Sequence, residues 1–257
     1  MQAIGRWLGE PKKVALLLLA AGLAAVAALG LASAASAATF LNNDGITIND
    51  AVADCSAVGA QDGTPGTATP YPSGIEVSGL SGSVSDVNVT LTGLSHTFPD
   101  DISVLLVGPE GQKTILMTDV GGTEANPASG VNLTFDDAAS GALPDQGPLS
   151  SGTYQPTRGT DHTRNCQVPS SFPAPAPEGP YGTSLSVFNG TNPNGTWQLY
   201  IIDDTTRDTG SITGWSLDIS TTPVVPMTKE ECKKGGWSDL GWPDQGTCIS
   251  AVNQNRP

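Results

Sequence analysis

Apolar residues recur at every second position in five separate stretches: Val87, Val89 and Leu91; Ile102, Val104 and Leu106; Val131, Leu133 and Phe135; Trp197, Leu199 and Ile201; and Trp215, Leu217 and Ile219. A period of two places each set on one face of a pleated strand, so every such stretch has a face that must be buried against another sheet. Between them lie GPEGQ, DVGGTEANPASG, NGTNPNG and DDTTRDTGS, compositions that favour turns and loops. No window beyond the first 37 residues carries a helical stripe. Many short strands separated by Gly- and Pro-rich turns predict an all-β fold, a jelly-roll-like β-sandwich over residues 71–221, and about 150 residues suffice for one core.

The rest of the chain divides by composition. Residues 1–37 read as a signal peptide: Arg6, Lys12 and Lys13 precede an uncharged apolar run over 14–32, and Ala35-Ser36-Ala37 supplies a small-residue cleavage pattern. The run is long enough to span a bilayer if retained, but that cleavage pattern favours removal and an extracellular product, free or held at the cell wall, with no membrane contact after cleavage. Residues 38–70 read as a low-complexity leader with a candidate edge strand at Gly45-Ile46-Thr47-Ile48. Inside the sandwich, PSSFPAPAPEGPYG is too rich in proline for a central strand and is expected to cross the surface as an extended loop. Residues 222–227 form a short linker, and 228–257 a small unit with two cysteines and two tryptophans.

Removing the first 37 residues leaves 8 basic against 24 acidic residues, a net charge of −16. Nucleic acids and anionic lipids require a basic patch, so neither is an expected partner. Four cysteines in an exported chain imply two disulfides, of three possible pairings. Cys232 and Cys248 are neighbours in the C-terminal unit and are expected to pair, which leaves Cys55 with Cys166, tethering the proline-rich insert. On the chain-entropy account the short bridge contributes ~3 kcal/mol and the long one ~4.7 kcal/mol. With no CxxC, zinc and thiol redox chemistry are not expected.

Several of these segments, taken in order, resemble the P domain of proprotein convertases, the P/homo B domain. The residues that carry the likeness are His96 followed by Asp101 and a strand ending at Gly108-Pro109, then Gly195-Thr196-Trp197-Gln198-Leu199, Asp203, and Gly210 through Trp215-Ser216-Leu217. The resemblance covers about residues 71–221. It implies a jelly-roll sandwich of the kind fused behind subtilisin-like serine protease domains, here in a stand-alone exported form, because the remaining residues cannot hold such a protease. The sequence departs from convertases in FNGTNPN before Gly195 and in the proline-rich insert.

Three kinds of chemistry are open to the polar residues of such a chain. For nucleophilic catalysis, Gly182-Thr183-Ser184 matches the three residues around a subtilisin nucleophile, but Leu185-Ser186-Val187-Phe188 comes next. A triad also needs an oriented His. Only His96 and His162 exist, neither in a protease motif, and no catalytic residue is assigned. Paired carboxylates doing glycosidase work would need an apolar cleft and stacking aromatics, whereas aromatics make up 5% of the chain. Calcium suits the acids better, since it takes six to eight oxygen ligands and Asp-rich loops supply them. One expected cluster is Asp100 and Asp101 with Asp136 and Asp137, and a second is Asp203, Asp204 and Asp208; the bland alternative is that each Asp caps a turn.

His96 is expected to hydrogen-bond the loop after its strand, and Trp197 and Trp215 to fill the core. Trp237 and Trp242 are candidates for exposed stacking. Asn88, Asn132, Asn189 and Asn194 begin Asn-x-Thr sequons and are read as strand and turn residues, with glycosylation the alternative. The sequence therefore describes an exported, noncatalytic binding or accessory module, with an unidentified protein, a surface glycan or a separate subtilisin-like protease as its partner. The other classes weighed are an accessory stabiliser of such a protease and a cell-surface structural or adhesion protein.

Overall fold

The computed structural model describes residues 36–53, 63–160 and 171–254. Residues 1–35 of the expected signal peptide, His162 and the expected Cys55–Cys166 pairing lie outside the described residues. Chain order begins with β1 (Ser36–Asn42), β2 (Ile46–Ile48), β3 (Val52–Ala53), β4 (Gly63–Thr64) and β5 (Gly66–Thr67). It continues with β6 (Ser73–Val77), the long β7 (Ser83–His96), β8 (Ile102–Val107), β9 (Lys113–Thr118) and β10 (Ala128–Phe135). Then come β11 (Gly152–Tyr154), β12 (Thr157–Arg158), β13 (Gly195–Asp203), β14 (Gly210–Ile212) and β15 (Gly214–Thr222).

These strands form two mixed sheets. The first runs β1-β15-β7-β10-β11, with β14 beside β7 and β2 beside β14. The second runs β12-β9-β8-β13-β5, with β6 also on β13. Strands β3 and β4 make a separate pair. The β10–β11 and β12–β9 pairs are parallel, and the other pairings are antiparallel. The alternating apolar faces meet between the sheets: Val87, Val89 and Leu91 from β7, Trp215, Leu217 and Ile219 from β15, and Leu133 and Phe135 from β10 face Ile102, Val104 and Leu106 from β8 and Trp197, Leu199 and Ile201 from β13 in one buried cluster. Trp197 is fully enclosed, donates Nε1–H to the Pro193 carbonyl at 2.9 Å, and lies 4.8 Å from the Phe188 ring. Trp215 donates Nε1–H to Ser73 Oγ at 2.9 Å, a bond from the first sheet to the second.

Three expectations about organisation are corrected. Residues 38–70 are not a leader: β1 pairs with β15 over seven residues, β2 with β14, and β5 with β13. The edge strand lies where Ile46 and Ile48 alternate with Thr47, but the larger contribution comes from Ala38-Thr39-Phe40-Leu41, too weakly patterned to stand out. The proline-rich insert, where described, crosses the surface of the second sheet outside any strand, as its composition predicts, and it packs there. Phe172, Tyr181 and Ala176 pack with Leu105, Val107, Ile115, Tyr71, Tyr200 and Ile202 on the outer face of the second sheet, which is why every residue of β8 is buried. Proline leaves carbonyls without N–H donors, and the tyrosines supply the donors: Tyr71 Oη–H to Pro173 O at 3.0 Å and Tyr181 Oη–H to Pro177 O at 2.8 Å. Burial, first of all causes, raises the Tyr71, Tyr181 and Tyr200 hydroxyls above their ordinary range and keeps them protonated as donors.

The C-terminal unit is helical, against the expectation of no helix. Helix α1 (Gly236–Asp239) is one turn, and α2 (Gln245–Gln254) buries Cys248 and Val252 four residues apart. A stripe of two buried residues is too narrow to read as a period. The Cys232–Cys248 disulfide is present, and Trp237 and Trp242 are half-buried against it. Residues 222–227 do not hold the unit at a distance, because Val224 N–H donates to Leu240 O at 2.8 Å and Trp242 Nε1–H to Val224 O at 2.9 Å. Trp197→Ala empties the centre of the core and should lower unfolding stability by about 3–5 kcal/mol; denaturant titration measures this, and a loss below ~1 kcal/mol would place Trp197 outside a packed interior.

Candidate functional site

The acid-rich end of the sandwich begins with a change of phase in β7. Odd-numbered Val87, Val89 and Leu91 point inward, and an unbroken strand would turn His96 toward solvent. Instead the register with β10 steps from Leu91↔Leu133 to Leu94↔Val131, three residues against two. Gly93 absorbs the extra residue at φ +67°, where a Cβ would also stand 2.6 Å from Thr213 Oγ1. A bulge of this kind re-aims the side chains beyond it. Leu94 and His96 therefore face the interior, and both are buried.

His96 meets Asp203, which continues the inward phase of Trp197, Leu199 and Ile201 on β13. The contact, Nε2 to Oδ2 at 3.1 Å with both side chains fully enclosed, joins the two sheets through their interior. Nδ1 lies 3.2 Å from the Phe98 N–H and 2.9 Å from the Phe98 carbonyl. With its proton on Nε2 a neutral ring accepts from the Phe98 N–H and donates to Asp203, and a doubly protonated ring donates to both the Phe98 carbonyl and Asp203. Asp203 Oδ1 accepts from Thr205 N–H at 2.9 Å. Burial is the largest influence on Asp203 and raises its carboxyl, opposed by the hydrogen bonds from His96 and Thr205. Gly210 of β14 covers the ring so closely that a Cβ there would be 2.3 Å from His96 Cδ2.

The other acids are regrouped relative to the sequence expectation. Asp100 and Asp101 lie in a single 3-10 turn, Pro99–Asp101, ahead of β8, and both are buried. Asp203 pairs with Ile102 in the ladder, and Asp204 N–H donates to Asp101 O at 3.0 Å. So Asp100 and Asp101 stand with Asp203, Asp204 and Asp208, all buried, rather than with Asp136 and Asp137. Asp208 Oδ1 accepts from Thr97 Oγ1–H at 2.8 Å. Asp50, which the sequence did not single out, accepts from Arg207 N–H at 2.7 Å, and Asp119, also unflagged, is buried and accepts from Thr118 Oγ1–H at 3.0 Å. Asp50 lies just after β2, so its sequence signal was hidden by the leader reading. A shallow depression of about 500 Å³ opens beside His96, lined by hydroxyls of Ser95, Thr97, Ser129, Thr209 and Ser211. Among the described residues, no three or more His, Cys, Asp or Glu side chains are grouped to hold a metal ion.

Asp136 and Asp137 lie past the far end of β10, where Phe135 pairs with Val89, while Ala128 at the near end pairs with His96. Seven residues of strand put them on the order of 20 Å away. Asp136 and Asp137 raise the carboxyl of Asp86, after burial as the main cause. Asp137 caps a 3-10 turn, Leu185–Phe188, accepting from Ser184 Oγ–H at 2.6 Å, Leu185 N–H at 2.9 Å and Ser186 N–H at 2.8 Å. Ser184 is thus a capping residue on a carboxylate, and among the described residues the histidine is at the opposite end of β7. Of the sequons, Asn194 is fixed by two bonds to the Leu80 backbone and Asn132 accepts from Gly93 N–H, so both act as loop ties.

The family model of the proprotein convertase P-domain matches residues 157–219, from β12 to the middle of β15, a stretch that includes Asp203, Asp204, Asp208 and Gly210 of this end. No curated protein matches the sequence. Two solved structures are similar: a serine protease of Aeromonas sobria, at 15% identity over 72% of this chain and 27% of that chain with a TM-score of 0.30, and the complex of that serine protease with the chaperone ORF2, at 14% identity over 74% and 28% with a TM-score of 0.30. The chain spans just over a quarter of those solved chains, and a TM-score of this size carries no argument about fold or partner.

The raised Asp203 carboxyl has a consequence for stability. A native carboxyl that holds its proton more tightly than the unfolded chain stabilises the fold fully below the unfolded value of ~3.9, and that contribution is lost as pH rises through the raised native value. Asp203→Asn should therefore gain stability relative to wild type as pH rises above ~3.9, read from denaturant midpoints through the acid range. The opposite slope would mean that the His96 bond outweighs burial.

Proposed function

We propose that the mature chain is an exported, noncatalytic accessory module that acts beside a separate subtilisin-like serine endopeptidase, with its two sheets arranged as a jelly-roll-like sandwich. The observation that carries this reading is the P-domain at 157–219. Ser184 supports the noncatalytic part: its hydroxyl is engaged with Asp137 as a turn cap, and among the described residues no histidine lies beside it. Export is supported by the Cys232–Cys248 bridge, which belongs to an oxidising compartment. Among the described residues no helix is long and apolar enough to cross a membrane.

The test adds purified mature protein to a subtilisin-like protease captured from the same culture medium. The module should lengthen the protease's half-life at elevated temperature at least several-fold, should not cleave casein alone, and should behave identically as Ser184→Ala. Casein cleavage lost in Ser184→Ala would overturn the noncatalytic reading, and an unchanged protease half-life the accessory one.

We also propose calcium as a stabilising ion at the acid-rich end. The support is the chemistry of the donors, since Asp100, Asp101 and Asp204 bring hard oxygen atoms to adjoining strand ends. The melting midpoint should rise in calcium relative to chelator, and most of that rise should vanish in Asp101→Ala. Equal midpoints for the wild type would exclude calcium as a stabilising ion.

A further inference from the structure

A second site stands apart from the acid-rich end, where the C-terminal unit meets the sandwich. Gly79 and Ser81 from the turn before β7, Thr221 and Pro223 from the end of β15, and Ser238 and Trp242 from the C-terminal unit enclose a cleft of about 260 Å³. Its walls are fixed. Gly241, at φ +81°, lets the unit sit against the sandwich so closely that a Cβ would be 3.1 Å from the Pro223 Cα and 3.3 Å from the Gly82 backbone. The Val224–Leu240 bond, the Trp242–Val224 bond and the Cys232–Cys248 disulfide hold the other side.

The chemistry of the lining selects among ligands. None of the lining residues is ionisable, on a chain with a net charge of −14, so the cleft suits a neutral molecule and not a cation. Two hydroxyls, Ser81 and Ser238, can both donate and accept, while Thr221 lines the cleft as a buried residue. The half-buried indole of Trp242 packs on the Cys232–Cys248 cluster and has its N–H committed to Val224 O, so what it offers the cleft is apolar ring surface. An apolar C–H face with a rim of hydroxyls is what a pyranose ring presents, and it matches indole surface flanked by two serines. A proline-rich peptide would also lie on an indole, but it lacks the rim of paired donor and acceptor groups that serine hydroxyls satisfy on a sugar, and it is the competing occupant to be tested. The volume is just below the ~300 Å³ at which drug-sized sites begin, which fits one ring at a time.

We propose that this cleft binds one sugar unit of a neutral oligosaccharide, with Trp242 as the stacking platform and Ser81 and Ser238 as hydroxyl partners. The site does not depend on the protease reading, and a module holding both would be localised on a polysaccharide surface while its sandwich serves a protein partner.

The experiment titrates the mature protein with maltohexaose, cellohexaose and chitohexaose, monitoring tryptophan fluorescence and saturation-transfer NMR, with hexaproline in parallel. At least one sugar should bind saturably, with an affinity unchanged between low and high salt, because no charge takes part. Trp242→Ala should weaken it at least tenfold. Since that variant also removes a contact of the C-terminal unit, Ser238→Tyr provides the second reading: it fills the cleft from an exposed position, leaves Trp242 and the disulfide in place, and should abolish binding without shifting the melting midpoint. Binding of none of the three sugars, sugar binding indifferent to Ser238→Tyr, or capture of hexaproline in place of sugar would each overturn the proposal.

Discussion

The bond from His96 to Asp203 is the polar contact on which the acid-rich end depends, because it ties the first sheet to the second through the interior where the apolar core runs out. A buried imidazole and a buried carboxylate are each costly alone, and removing either partner strands the other. Around this contact the strand ends fall into place. Thr97 reaches Asp208, Asp50 caps the turn that carries Asp208, and Gly210 closes over the ring. The loops at this end are therefore held by side chains reaching across both sheets, not by their own turn chemistry alone.

That contact is possible only because β7 is bonded along both edges, to β15 and β14 on one side and β10 on the other, and is bulged at Gly93. The N-terminal residues complete the same frame: β1 covers β15, β2 covers β14, and β5 extends the ladder beside β13 at Asp203. Sequence and site are thus joined by a short chain of causes. Period-two patterning sets the faces, one glycine resets the phase, and the reset phase buries a histidine opposite an aspartate.

The sandwich was legible because its five apolar sets obey a strict period, and all five supply the observed inter-sheet core. The Cys232–Cys248 pairing was legible from proximity in sequence. The site was harder to read. Asp203 sits in phase with Trp197, Leu199 and Ile201, an acid at a core position, which is the one signal that could have marked it. His96 carries no such mark, since its inward direction is created by a bulge that only cross-strand register reveals. The grouping of Asp136 and Asp137 with Asp100 and Asp101 failed because adjacency of strands says nothing about which ends are adjacent. The insert was legible as a surface crossing, because proline excludes it from a ladder, while its packing on a tyrosine-lined face carried no sequence period.

The interior bond between His96 and Asp203 is tested most directly by long-range ¹H–¹⁵N NMR of the histidine rings. The prediction is a proton bound at Nε2 of His96 and protected from exchange with water, present whether the ring is neutral or charged. A ring that carries its only proton on Nδ1, or an Nε2 proton exchanging as freely as that of an exposed histidine, would contradict it.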